Sequence, residues 1–101
     1  MMAELSIVPV CETPHLGKYV ADAVKTIHES GVEYRLTPMG TILVGEWEQV
    51  MTVVKKCHET TAQQVDRVIT KIKIDDFSGN HKLPEDKIQS VEKHLGFDVR
   101  R

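Results

Sequence analysis

The sequence predicts an α+β domain in which helices cover a single face of one antiparallel sheet. Apolar residues alternate over short stretches near 3–10, 33–44 and 67–74, the period of half-buried strands. Between these stretches, over 16–30 and 47–64, they recur instead with the period of one helical face. Two of the strand segments are joined by Thr37-Pro38-Met39-Gly40, a tight turn with no room for a crossover.

Length and composition set the frame. A chain of 101 residues makes one domain, taken as 1–101, able to bury roughly two thirds of the surface its unfolded form exposes. With 41% hydrophobic and 28% charged residues it has the make-up of a soluble globular protein. A net charge of −2 offers no basic field for nucleic acid or an anionic membrane. No apolar run reaches the ~20 residues of a membrane span, and MMAELSIVPV lacks the layout of a signal peptide. A cytoplasmic location is the expectation.

Each element has its own warrant. In AELSIVPV, Leu5, Ile7 and Pro9 share one face, while Glu4, Ser6, Val8 and Val10 share the other. Pro9 lacks an N–H and belongs at a strand end or a bulge. Thr13 is a suitable N-cap and Pro14 a suitable first-turn residue for the first helix. That helix aligns Leu16, Tyr19, Val20, Ala23, Val24 and Ile27 on one side, and Gly31 ends it in the left-handed conformation. The hairpin follows, with Tyr34, Leu36, Ile42 and Val44 as its spaced apolar set. Its turn suits type I, with Gly40 free to take positive φ as a bulged hairpin requires. The second helix opens at Trp47 and carries Trp47, Val50, Met51, Val54, Cys57 and His58 on its stripe. RVITKIKI, residues 67–74, makes the fourth strand; a last helix from Pro84 to Leu95 presents Ile88, Val91 and Leu95 before Gly96. The order βαββαβ plus a C-terminal helix, with right-handed crossovers, gives the ferredoxin-like sheet of strand order 4-1-3-2.

The second sheet face is expected to carry Ser6, Val8, Val10, Arg35, Thr37, Ile69, Lys71 and Lys73. Left bare, it exposes valines to water, so self-association through this face is expected.

Little in the chain advertises catalysis. No nucleophile motif or phosphate-cradling glycine loop is present, and the five histidines show no metal-ligand spacing. Catalytic and metal residues are therefore expected to be absent. Aromatics make up only 5% of the chain, and the strands that stack bases in RNA-binding relatives of this topology offer serine, valine and lysine. Cys11 and Cys57 are read as free thiols, Cys57 as a small hydrophobe on a helix stripe. Tyr34 and Trp47 are read as core aromatics. Asp75-Asp76 reads first as a solvated turn, with a ligand amine or cation as the sharper alternative. Glu46 precedes a helix, where an acid favours the N-terminus. Thr37 and Thr41 flank the turn and have their own backbone within reach. Together these groups are expected to place hydroxyls and a carboxylate at one end of the sheet.

SIVPV near the start, LGKYVADAVKTIHESGVEYRLTPMGTILVGEWEQVMTVVKKCHE through the middle, and TKIKIDD with KIQSVEKHL toward the end resemble one family. It is the small thiamine-binding, YkoF-like group, and the likeness spans about residues 5–95. The resemblance implies ferredoxin-like subunits whose sheets pack into homodimers and homotetramers, and a site for thiamine or its hydroxymethylpyrimidine half. It carries over Ser6, Thr37, Met39, Gly40, Thr41 and Glu46 as ligand-binding candidates, with no other cofactor. An aminopyrimidine needs hydroxyls, backbone groups or a carboxylate facing its nitrogens, which these residues offer. Two loops depart from the family pattern: CETPHLG lacks its glycine- and serine-rich character, and FSGNHKLPED lacks a basic residue directly after the paired aspartates. The expectation is thus a non-enzymatic binding protein. The alternative is a regulatory or structural homo-oligomer without the thiamine site. An enzyme acting on a small heterocycle would need an acid–base pair, which Glu46 alone does not make.

Overall fold

The computed structural model describes residues 1–12, 16–79 and 83–101. In chain order the elements are β1 (Met2–Val10), α1 (Gly17–Ser30), β2 (Glu33–Thr37), β3 (Gly40–Val44), α2 (Trp47–Ala62), β4 (Arg67–Asp75) and α3 (Pro84–Leu95). The strands form one antiparallel sheet in the order β2-β3-β1-β4, the expected ferredoxin-like arrangement. Thr13 and Pro14, proposed as the start of α1, lie outside the described residues; Leu16 stands at the N-cap without a side-chain capping bond.

Register decides which side chains become core. Ala3 lies opposite Leu43 and Ile74, Leu5 opposite Thr41 and Ile72, and Tyr34 opposite Leu43. This row faces α1 and α2, and it seals Ala3, Leu5 and Leu43 against Ile27, Val50 and Cys57. The hairpin corrects its expected apolar set. Its loop has only two residues, Pro38 and Met39, and Thr37 pairs with Gly40. Even-numbered β2 residues therefore share a face with odd-numbered β3 residues. Tyr34 and Leu36 go with Thr41 and Leu43, and Ile42 and Val44 fall on the opposite face.

Gly40 is also placed for a different reason than expected. Positive φ occurs at Gly31, Gly79 and Gly96, not at Gly40. A Cβ on Gly40 would lie 2.9 Å from the Leu5 carbonyl oxygen, so the position needs glycine for close approach of β3 to β1. Pro9 sits at the strand-end position foreseen for it. The β1–β4 register runs without a bulge from Met2↔Asp75 to Val10↔Arg67, and β3 begins only at Gly40, so among the described strands β1 near Pro9 is paired with β4 alone.

The stripe of α2 is Val50, Val53, Val54, Cys57 and Thr61, rotated slightly from the expected one. Trp47 is not a core aromatic: it is the first residue of α2, beyond the last sheet row, and stays 50% exposed. Tyr34 is partly buried, with its hydroxyl 2.7 Å from His28 Nδ1 and the two rings edge to face. His58 reaches from α2 to β4, its Nδ1 2.6 Å from the Thr70 hydroxyl. At the start of β1, the Met1 ammonium donates to the Gly45 carbonyl and the Gly45 N–H donates back to Met1.

While α1 and α2 cover one sheet face, α3 is anchored from the other. Alternation puts Arg35 and Asp75 on the open face, and Arg35 Nε donates to Glu85 Oε1 at 2.7 Å while Lys87 pairs with Asp75. Asp86 accepts from the Leu83 N–H to close the first turn. Beyond that turn the helix stands clear of the body. The radius of gyration is 15.2 Å, above the roughly 13 Å of a compact chain this long.

Candidate functional site

β3 stops opposite Ser6, and among the described residues no strand flanks the rest of β1 on that side. The gap becomes a cleft of about 200 Å³, bounded by β1, α1 and the β2–β3 turn. Five of the six candidate residues, Ser6, Thr37, Met39, Gly40 and Thr41, line it. They come from two chain segments more than thirty positions apart, brought together by the central pairing of β1 with β3.

Their chemistry is unequal. The Thr37 hydroxyl donates to the Gly40 carbonyl at 2.8 Å and accepts from the Met39 N–H at 3.2 Å. It pins the turn, as the local reading anticipates, and leaves less of its bonding capacity for a ligand. Thr41 is buried on the helix-facing side, whereas Met39 at the turn tip is 83% exposed and free to move over the mouth. Ser6 is partly buried beside the point where β3 ends.

Glu46 does not join them. It follows the far end of β3, roughly 20 Å along the strand from Gly40 at about 3.3 Å per residue, and is exposed without capping the helix by its side chain. The expected gathering of hydroxyls and a carboxylate at one sheet end is corrected accordingly: hydroxyls and carboxylate occupy opposite ends of β3. No charged side chain lines the cleft among the described residues.

The apolar walls are supplied by Leu16 at the N-cap of α1, Val20 and Val24 within it, and Ile7 and Leu36. These wall residues were missed as site residues. Their helical periodicity marks them as an inward face, but periodicity does not distinguish a wall against core from a wall against a cleft.

Elsewhere, the ionisable groups have structural work. Cys57 is fully buried, its Sγ–H directed at the Ala23 carbonyl 3.6 Å away, and burial pushes its thiol up to about 11. It packs α2 on α1 as a small hydrophobe, and Cys11 is free and exposed. Asp75 is held below the usual carboxylate range by its hydrogen bond and ion pair with Lys87. Glu92 is likewise lowered, by the Val99 N–H and then by Arg101. Among the described residues no three His, Cys, Asp or Glu side chains converge as a metal site. No helix there is long and apolar enough to cross a membrane.

A ferredoxin-like domain with an uncharged, hydroxyl-edged cleft at the end of its central strands is, by class, a small-molecule-binding module. The chain belongs to the family described as thiamine-binding protein, whose model matches residues 3–92. It is similar to the UPF0045 protein YqgV of Bacillus subtilis, 39% identical over 100 residues that cover 93% of this chain and 96% of the relative. The crystal structure of hypothetical protein MJ1052 from Methanocaldococcus jannaschii superposes with a TM-score of 0.84 at 28% identity, covering 91% of this chain and 95% of that one. A Thermotoga maritima structure, named "putative thiamine biosynthesis/salvage protein", superposes with a TM-score of 0.79 at 26% identity, covering 89% and 96%.

Proposed function

We propose that this chain binds thiamine or its hydroxymethylpyrimidine half in the cleft between α1 and the β2–β3 turn, without turnover, as a cytoplasmic homo-oligomer. The observation that carries the reading is that one cleft collects Ser6, Thr37, Met39, Gly40 and Thr41. Membership of the thiamine-binding family and the name of the Thermotoga maritima neighbour support it.

The size and lining of the cleft favour the pyrimidine half. Small-molecule sites usually enclose ~300–1,000 Å³, and this one offers about 200 Å³. A single flat ring suits apolar walls, with the Thr41 hydroxyl and backbone groups of β1 and the turn facing its nitrogens. A thiazolium cation would gain from an aromatic face or a carboxylate, and among the described residues the cleft lining includes neither. Self-association is assigned to the open sheet face, where Val8, Val10 and Ile69 are exposed.

Titration calorimetry with hydroxymethylpyrimidine and with thiamine tests the reading. Saturable binding at one site per subunit is expected, tighter for the pyrimidine. Thr41→Val should weaken it by about 1–2 kcal/mol through loss of a buried hydrogen bond. Glu46→Gln should leave it unchanged if one subunit makes the whole site. Flat traces for both compounds would transfer the assignment to a regulatory or structural oligomer.

A further inference from the structure

The parity of the central ladder decides which backbone groups of β1 look into the cleft. At the start of that ladder Met1 and Gly45 exchange both hydrogen bonds, at 2.8 and 3.1 Å. In an antiparallel pair such exchanging residues recur at every second position. Odd-numbered residues of β1 therefore turn their N–H and C=O toward β3, and even-numbered ones toward β4. Gly40 gives the same parity independently: a Cβ there would meet the Leu5 carbonyl oxygen at 2.9 Å, so that carbonyl points at β3. The next odd residue is Ile7, and β3 has already ended. Ile7 lines the cleft, and among the described residues no backbone hydrogen bond reaches it from the β2–β3 turn. Its N–H and C=O thus stand as an unpaired donor and acceptor on the cleft wall, groups that water or a ligand must satisfy.

We propose that this one-residue main-chain edge reads the ligand: the Ile7 N–H donates to a ring nitrogen, and the Ile7 carbonyl accepts from an amino group on the adjacent ring carbon. The ligand class is a planar ring with an amidine-type edge, N=C–NH2, which an aminopyrimidine carries. The proposal rests on the assignment of the cleft to a pyrimidine and names the atoms that recognise it.

Pro9 fixes the length of the edge and with it the kind of occupant. It is the following odd residue, so the N–H it lacks would have pointed into the gap and not at β4; the β1–β4 pairing continues past it to Val10↔Arg67. An added polypeptide strand needs a donor and an acceptor at successive odd positions. At Pro9 it would set a carbonyl against a ring with no hydrogen to give. A small heterocycle needs Ile7 alone. Hydrogen bonds from a strand edge lie in the plane of the sheet, so the bound ring lies in that plane too, with one face toward Val20 and Val24 of α1. Polar recognition at the ring's edge and apolar contact at its face then come from different elements.

NMR of the isotope-labelled protein, titrated with hydroxymethylpyrimidine beside calorimetry, tests the edge. In the free protein the Ile7 amide should exchange with solvent on the order of 10-fold faster than those of Ser6 and Val8, which bond to β4. Saturating ligand should erase that difference and move the Ile7 amide proton downfield, a readout that needs no variant. The analogue without the amino group should bind on the order of 10-fold more weakly, because it leaves the Ile7 carbonyl unpaired. Ile7→Pro removes the donor without breaking a ladder bond to β4 and should weaken the parent compound on the order of 10-fold. Ile7→Val keeps the backbone pair and should stay within about threefold of wild type. Saturable binding that leaves the Ile7 amide unshifted and still fast to exchange, or that tolerates loss of the amino group, overturns the edge and leaves the pyrimidine reading standing. Flat traces with hydroxymethylpyrimidine and with thiamine overturn both.

Discussion

Ile27, Leu43 and Val50 are sealed from water between two helices and the sheet, whereas α3 is held to the same sheet mainly by charged pairs with exposed members. A fully buried aliphatic side chain stabilises by about 1.5–3 kcal/mol; a solvent-exposed ion pair contributes about 0–1 kcal/mol. The body of the domain therefore carries the global stability, and α3 occupies the low end of the local-stability range. The contrast teaches that the chain spends its hydrophobic residues twice: once inside the body, and once on an arm and a sheet face that the described residues leave largely uncovered.

The largest effect should come from breaking the body. Leu43→Ala is expected to cost about 2–5 kcal/mol in urea denaturation. The comparable truncation in the arm, Val91→Ala, should cost about 0.5 kcal/mol or less in the monomer. Equal losses at the two sites would mean that α3 is part of the cooperative core.

Gly40→Ala should be next, at about 1–3 kcal/mol, because its Cβ meets the Leu5 backbone oxygen and no rotamer relieves it. The same measurement at Gly31, where nothing lies within 4 Å but φ is +80°, should give a penalty of conformational origin instead, about 1–2 kcal/mol.

Acid should separate the two regions. Asp75 is lowered by Lys87, Glu85 by its own N–H and then Arg35, and Glu92 by the Val99 N–H and then Arg101. Lys73 and the N-terminal ammonium add to the field at Asp75. Each folded pKa lies below its unfolded value of about 3.9–4.3. The stabilisation is thus present above that range and is lost as pH falls through the depressed folded values. Two-dimensional NMR between pH 6 and pH 2 should show resonances of residues 84–101 shifting to unfolded positions before those of the sheet. Simultaneous loss would erase the distinction.

The smallest effect is chemical. With its thiol pushed up to about 11 and fully buried, Cys57 should resist a disulfide reagent at pH 8. Only Cys11 should react in the folded protein, and Cys57 should follow once urea is added. Prompt reaction of two thiols would show that the α1–α2 seam opens readily.

How legible the molecule is from its residues varies with the range of the interaction. Strand and helix limits are read closely because alternation and helical stripes are local: β1 was expected from residue 3 and begins at Met2, and α3 was expected from Pro84 to Leu95 and spans those residues. Parity across the hairpin was misread, since Ile42 and Val44 look like the natural partners of Tyr34 and Leu36 until the two-residue loop sets the register. Trp47 was misread for a related reason: the helix begins where expected, but its first residue lies past the last sheet row. At the site, Ser6, Thr37, Met39, Gly40 and Thr41 converge on one cleft while Glu46 does not, although sequence distance puts Glu46 as near to Thr41 as Met39 is to Val44.

By itself, the sequence determined the order and type of the elements, the sheet they must form, and the presence of Val8 and Val10 on a second sheet face. Periodicity records which side of each element faces inward, and that much is encoded locally. Only the tertiary structure decided that β3 ends opposite Ser6 and leaves a cleft, that Glu46 stands at the other end of the same strand, and that α3 anchors to the open face. Those outcomes depend on register and on where one strand stops beside another, which are set by contacts between segments far apart in the chain.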